Sequence, residues 1–172
     1  MSVLVINPGS TSTKLAVFEE GNCLASSELQ HDRQALARFV RVADQFDYRL
    51  QEVRKFLADF GMDATRLRAV AGRGGLLRPL DGGVYAVSDD MVADLKSARY
   101  GEHPCNLGAL LALEVAGEVN IPAYVVDPAV TDELMEAARL TGLPQIRRRS
   151  LFHALNQRGV ARMVADRLGI DY

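Results

Sequence analysis

The chain carries two cysteines, Cys23 and Cys105, too few for a disulfide framework and in keeping with reduced thiols in a packed fold. It has no long hydrophobic run. The most apolar stretch, Leu107 to Leu113, stops at Glu114, far short of the roughly 20 residues that cross a bilayer. Neither charge sign is in excess: 20 Lys and Arg against 22 Asp and Glu leave a net charge of −2, which excludes bulk attraction to nucleic acid or an anionic membrane. Met1-Ser2 runs into apolar residues without a basic n-region, so no targeting signal opens the chain. Repeats and low-complexity segments are missing too. These absences point to a cytoplasmic globular protein without nucleic-acid or membrane partners. A share of 48% hydrophobic and 24% charged residues over 172 positions supplies one domain with a sizeable core.

The first thirty residues read as an antiparallel meander. Val3 to Ile6 is a short β-branched run bounded by the turn formers Asn7-Pro8-Gly9-Ser10. Thr13, Leu15 and Val17 then alternate with period two, and Glu20-Gly21-Asn22 turns the chain into a strand from Cys23 to Leu29. From Asp32 the spacing predicts two helices. One carries Leu36, Phe39, Val40, Ala43 and Phe46; the other carries Leu50, Val53, Phe56, Leu57 and Phe60 and stops at Gly61. Strands follow at Leu67–Ala71 and Val84–Val87, with Ser88 capping a helix through Met91, Val92, Leu95 and Ala98. A helix from Leu107 to Ala116, a strand ending at Val126 and a last helix starting near Ser150 complete the pattern. That last helix shows Leu151, Leu155, Val160, Met163, Val164 and Leu168 at helical spacing. A meander followed by alternating helices and strands predicts an α/β domain with a mixed sheet and flanking helices.

The most informative stretch is Asn7-Pro8-Gly9-Ser10-Thr11-Ser12-Thr13-Lys14. Small hydroxyl residues and backbone amides at a tight turn suit phosphate oxygens. It is not a Walker loop. The glycine before the Lys is missing, Leu15 stands where Ser or Thr belongs, and a strand follows where a helix is needed. A ligand-free Ser/Thr-rich hairpin has the same composition.

Four further sites stand out. Arg73 lies between Gly72 and Gly74-Gly75 directly after a buried strand, where a guanidinium can fork onto a carboxylate or phosphate; Arg78 reads as a solvated or structural partner. His103 and Asn106 precede a helix start, where free amides favour anions, although Asn106 could equally cap that helix. Asp127 sits at the C-terminal end of a strand, the edge where α/β sheets bind ligands. Asp132 and Glu133 read as first-turn helix acids. His153 falls in the opening turn of the last helix, after the basic run Arg147-Arg148-Arg149, which reads as a solvated face. Each site alone also has a purely structural reading.

Together they resemble one family. Asn7–Lys14, Gly72–Pro79, Gly101–Gly108, Val125–Asp132 and Ser150–Gln157 are similar to butyrate kinase segments in order and context. Acetate kinases carry His-Asn-Pro-Ala-Asn where this chain has Glu102-His103-Pro104-Cys105-Asn106, and His-Gly-Thr-Ser-His where it has His153-Ala154-Leu155-Asn156-Gln157. The butyrate branch is the better match. The resemblance implies the actin, hexokinase and sugar-kinase fold and phosphoryl transfer between ATP and butyrate. Asn7, Gly9, Ser10, Thr11, Ser12 and Lys14 would hold the nucleotide phosphates, with Asp127 and Asn7 organising Mg²⁺. Arg73, Gly74, Gly75, His103, Asn106 and Phe152 would form the carboxylate site, the two glycines enlarging the acyl pocket, and Arg73, His103, Asp127 and His153 would act in catalysis. Family members are longer, with a second domain that supplies the adenosine site. The chain therefore reads as residues 1–172 of a two-domain, homo-oligomeric kinase, here as its N-terminal domain. An acetate, propionate or branched-acid kinase and a non-catalytic actin-like module are the alternatives.

Overall fold

A computed structural model describes residues Met1–Tyr172. Its centre is a six-stranded mixed sheet of order β3-β2-β1-β4-β6-β5. Strands β1 (Ser2–Pro8), β2 (Ser12–Glu19) and β3 (Asn22–Gln30) form the expected antiparallel meander. Strand β4 (Leu67–Gly72) joins β1 in parallel, β6 (Ala123–Val126) joins β4 in parallel, and β5 (Val84–Ala86) closes the edge antiparallel to β6.

Alternation decides which strand residues meet the core. Leu4, Ile6, Leu15, Val17, Val70 and Val125 are fully buried on one face. Helix α4 (Asn106–Glu118) packs across β1, β4 and β6 on that face, while α2 (Phe46–Asp59) packs against β2 and α4. Helix α4 is apolar nearly all round, and it is buried nearly all round. Helix α3 (Asp89–Lys96) lies against α4, with the Ser88 side chain accepting from Met91 N at 3.3 Å. Helix α2 ends as foreseen: Gly61 takes a left-handed φ of 67°, and Met62 N and Gly61 N donate to Leu57 O and Ala58 O, both at 2.9 Å. No helix is long and apolar enough to cross a membrane.

Three local expectations fail. The helix from Asp32 to Phe46 does not form. Only the four-residue α1 (Arg33–Leu36) and a 3₁₀ turn at Val42–Gln45 appear, and Val40 is 95% exposed. Tertiary hydrogen bonds turn the chain there: Arg41 Nη2 donates to Lys96 O at 3.1 Å and Val42 N to Glu102 Oε1 at 2.9 Å. Asp132 and Glu133 open no helix; Asp132 accepts from Leu134 N at 3.2 Å and pairs with Arg139 at 2.8 Å. The last helix, α5 (Ala154–Leu168), starts four residues later than Ser150 and turns a different face inward. Ala154 and Ala165 are buried and Arg158 and Ala161 are half-buried, whereas Leu155, Val160, Met163, Val164 and Leu168 are exposed. Arg158 on that inner face binds Asp127 and Glu133, and the bulky side chains are left exposed.

Candidate active site

The second face of the sheet, carrying Val5, Asn7, Ala71 and Val126, is covered only where α5 begins. Between them lies a mainly apolar cleft of about 610 Å³, walled by Ala71, Ala129, Phe152, Ala154 and Leu155 among others. Asn7, Arg73, Asp127, His153 and Asn156 are its polar lining.

Arg73 links two of those groups. Its Nη1 donates to Asn7 Oδ1 at 3.2 Å and its Nη2 to His153 Nδ1 at 2.6 Å, while its backbone N donates to Ile6 O at 2.9 Å. A guanidinium has only donors, so His153 Nδ1 must offer its lone pair, and the ring proton is assigned to Nε2. Glycines make this placement possible. A β-carbon on Gly72 would collide with Gly108 O, and one on Gly108 would collide with Arg73 O. Helix α4 thus seats its first turn directly on the Arg73 backbone.

Asp127 ends β6 with a left-handed φ of 36°. Its Oδ1 accepts from Gly83 N at 2.8 Å and from Arg158 Nη1 at 3.0 Å; Oδ2 has no protein partner. Arg158 also pairs with Glu133, whose Oε1 accepts from Gly82 N at 2.8 Å. No cluster of three or more His, Cys, Asp or Glu side chains gathers to hold a metal. A free Asp127 carboxylate oxygen, on a cleft that Asn7 also lines, does fit Mg²⁺, which usually takes one or two carboxylates and completes its shell with water and substrate phosphates.

The phosphate-turn candidates lie along the β1–β2 hairpin. Ser10 and Thr11 are exposed at its tip. Ser12 Oγ donates to Glu28 Oε1 at 3.1 Å and Lys14 Nζ lies 3.5 Å from Glu28 Oε2, so β3 holds both. Gly9 N is taken by Ser12 O at 2.7 Å.

Other candidates fall outside the cleft. His103 Nδ1 accepts from Cys105 N at 3.1 Å and meets Cys105 Sγ at 2.9 Å, which ties down the turn before α4. Burial and the nearby Arg73 cation lower its pKa, and burial raises that of the Cys105 thiol. Asn106 is buried, its Oδ1 accepting from Leu76 N at 2.8 Å and its Nδ2 donating to Gly101 O at 2.9 Å. The reading of Gly74 and Gly75 as space for the acyl group is corrected. A β-carbon at Gly74 would meet Val125 and Pro128, and one at Gly75 would meet Asn106 and Leu95, so protein already fills that space. Arg78 is a structural partner, holding the buried Asp94 at 2.8 Å.

No family model matches the chain. Curated relatives do. It is 51% identical over 170 residues to a probable butyrate kinase of Listeria monocytogenes serotype 4b strain F2365, with 99% of this chain and 48% of that protein aligned. It is 50% identical over 170 residues to a probable butyrate kinase of Maridesulfovibrio salexigens, covering 99% and 47%. Over nearly its whole length the chain is thus similar to proteins named probable butyrate kinase. It spans about half the length of the curated relatives it matches. Two solved structures share its fold at low identity. They are a Porphyromonas gingivalis acetate kinase (TM-score 0.58, 19% identity, 99% of this chain and 50% of that one) and a Francisella tularensis propionate kinase (TM-score 0.61, 14%, 99% and 50%). The mixed sheet with its flanking helices is accordingly the fold found in these two kinases.

Several residues around the site escaped sequence reasoning. Arg49 and His31 sit behind the hairpin turn, and Arg158 and Glu133 brace Asp127. Arg49 did leave a trace, since it stands within the stripe Phe46, Leu50, Val53, Phe56 that faces the core. A lone His after a strand leaves none.

Proposed function

We propose that the chain is the N-terminal domain of a two-domain kinase that moves a phosphoryl group between ATP and butyrate. The observation that carries the reading is Arg73, held between Asn7 and His153 at an apolar cleft. A butyrate carboxylate would pair with the Arg73 fork while its propyl chain lies among Ala71, Ala129, Phe152, Ala154 and Leu155. Each buried CH₂ adds about 0.8 kcal/mol, so these walls favour a chain longer than acetate.

The carboxylate oxygen attacks the γ-phosphorus of ATP as the bond to the β–γ bridging oxygen breaks. ADP and butyryl phosphate leave with no proton to move, so no general base is needed. The exposed hydroxyls of Ser10 and Thr11, with Ser12, Lys14 and the amides of the Gly9 turn, would hold the phosphates. His153 Nε2–H would donate to the transferring group as charge shifts onto its oxygens. Asp127 Oδ2 and Asn7 would hold the hydrated Mg²⁺ that neutralises phosphate charge. His103, Asn106 and Gly72 would fix the Arg73 loop from behind. Homo-oligomerisation and the adenosine site would be matters for the full-length protein.

Two substitutions in the full-length protein test the reading. Arg73→Ala should abolish butyryl phosphate formation, trapped as the hydroxamate, while Arg78→Ala should lower Tm by depriving the buried Asp94 carboxylate of its hydrogen-bonded partner and leave turnover per folded molecule intact. Equal turnover losses from both would remove Arg73 as the substrate clamp. An acyl-length series that peaks at acetate would overturn the butyrate assignment.

A further inference from the structure

The turn between β1 and β2 rests on a buried cation that has no acid. Arg49 is fully buried on the first turns of α2, and none of its hydrogen bonds goes to a carboxylate. Its Nη2 donates to Gly9 O at 2.9 Å, and its Nη1 donates to Ser12 O at 3.1 Å and Thr13 Oγ1 at 2.9 Å. Gln45 Oε1 accepts from Nε at 3.0 Å and from Nη2 at 2.9 Å. Thr13 is buried in turn against His31, whose Nε2 lies 2.8 Å from Thr13 Oγ1 and whose Nδ1 lies 3.2 Å from the Tyr48 hydroxyl. His31 backbone N donates to Thr11 O at 2.8 Å.

Three carbonyls of the turn, those of Gly9, Thr11 and Ser12, therefore accept from groups behind or beside it. Carbonyl oxygens repel an anion, and with these three occupied the exposed tip keeps the hydroxyls of Ser10 and Thr11. The charge balance matters as much. Lys14, the other cation of the hairpin, is matched by Glu28. Arg49 is matched by dipoles alone, and removing a unit charge from water without a counter-ion is unfavourable. An anion arriving on the turn would supply that missing counter-charge from the outside.

We propose that Arg49 is a positioning residue of the phosphate turn: it draws the turn's carbonyls inward and supplies the uncompensated positive charge under the polyphosphate of the nucleotide. This rests on the kinase reading above. It adds a residue outside the cleft, on a different element, that touches neither substrate. Gln45 is the second member of the device, since it holds the guanidinium without cancelling its charge.

Gln45→Glu in the full-length protein separates charge from architecture. The change is isosteric, keeps both acceptor bonds to Arg49 and places one negative charge against it. A purely structural Arg49 would tolerate it or gain from it. The proposal expects a Tm at or above wild type, unchanged butyrate affinity, and affinities for inorganic phosphate and MgATP reduced about tenfold or more by calorimetry, from one charge at short range in a medium of low polarity. A stable Gln45→Glu protein that binds phosphate and MgATP like wild type overturns it. If Gln45→Glu does not fold, Arg49→Lys decides, because a lysine keeps the charge but cannot span the Gly9 and Ser12 carbonyls. Weaker MgATP binding with shifted Gly9–Thr11 amide resonances in the ligand-free protein supports the proposal, and unchanged affinity and resonances overturn it. A wild-type protein that binds neither probe overturns the kinase reading and this inference together; binding by wild type and variants alike overturns the inference alone.

Discussion

At the scale of single residues, protonation states carry the function. Arg73 obliges His153 to accept at Nδ1, so its Nε2–H is the donor available to a transferring phosphoryl group. His153→Ala should lower kcat by about 10²- to 10³-fold with KM for butyrate and ATP nearly unchanged, the usual effect of losing one donor to developing charge. Gln reaches as far as Nε2 and should recover part of this, whereas Asn should keep the Arg73 contact and recover less. A variant with normal kcat and a lower Tm would make His153 a packing residue. His31 supplies a pH test. It is 5% exposed, and burial first, then the Arg49 cation, lower its pKa from 6.5 to about 4. The Thr13 hydroxyl accepts from Arg49 and donates to Nε2, which leaves Nδ1–H for Tyr48. Between pH 4 and 6.5 the unfolded chain binds a proton that the folded one refuses, so stability is complete above pH 6.5 and falls as pH drops. The loss should reach roughly 2 kcal/mol by pH 5. Urea unfolding at pH 7 and pH 5 measures it, and His31→Gln, which has no proton to gain, should flatten the profile. An unchanged profile in that variant would mean other groups dominate.

At the scale of elements, period was easier to read than facing. The 3.6-residue spacing found α5 to within four residues of its start but assigned its bulky stripe to the core, while the structure turns the face of Ala154, Arg158, Ala161 and Ala165 inward. Both faces have the same period, and only the shape of the opposing surface chooses between them. Overpacking Ala165→Leu should therefore destabilise by about 1–3 kcal/mol. Val164→Ser, one residue away and exposed, should stay within about 0.5 kcal/mol. Chemical denaturation of the two variants of this chain compares them, and the reverse order would mean that α5 packs by its apolar stripe. The helix expected from Asp32 to Phe46 shows the opposite failure. Its period was present, but hydrogen bonds to Lys96 and Glu102, more than fifty residues away in sequence, redirect the backbone.

At the scale of the molecule, the 172 residues hold one complete sheet and one half-covered face. Leu155, Val160, Met163, Val164 and Leu168 are exposed along α5. Such surface favours association, so this chain expressed alone should self-associate. Sedimentation that stays monomeric over a wide concentration range would contradict this. It should also make negligible butyryl phosphate, because it spans only about half the length of the curated relatives it matches. Hydroxamate formation at rates typical of kinases would show that the site is already sufficient.

The sequence alone determined what is local or repeats along the chain. The meander, the turn at Asn7–Gly9, the stop at Gly61, the Ser88 cap and Arg73 between glycines follow from alternation, turn chemistry and steric freedom within a few residues. The family resemblance also lay in linear segments. Tertiary structure alone decided what depends on distant residues meeting. It turned Gly74 and Gly75 from pocket space into packing and placed Arg49 beneath a turn forty positions earlier. It also tied Asp127 to Arg158 and chose the alanine face of α5. The physical reason is that hydrogen bonds, ion pairs and close packing act through space, and their partners here are separated by tens of residues of chain.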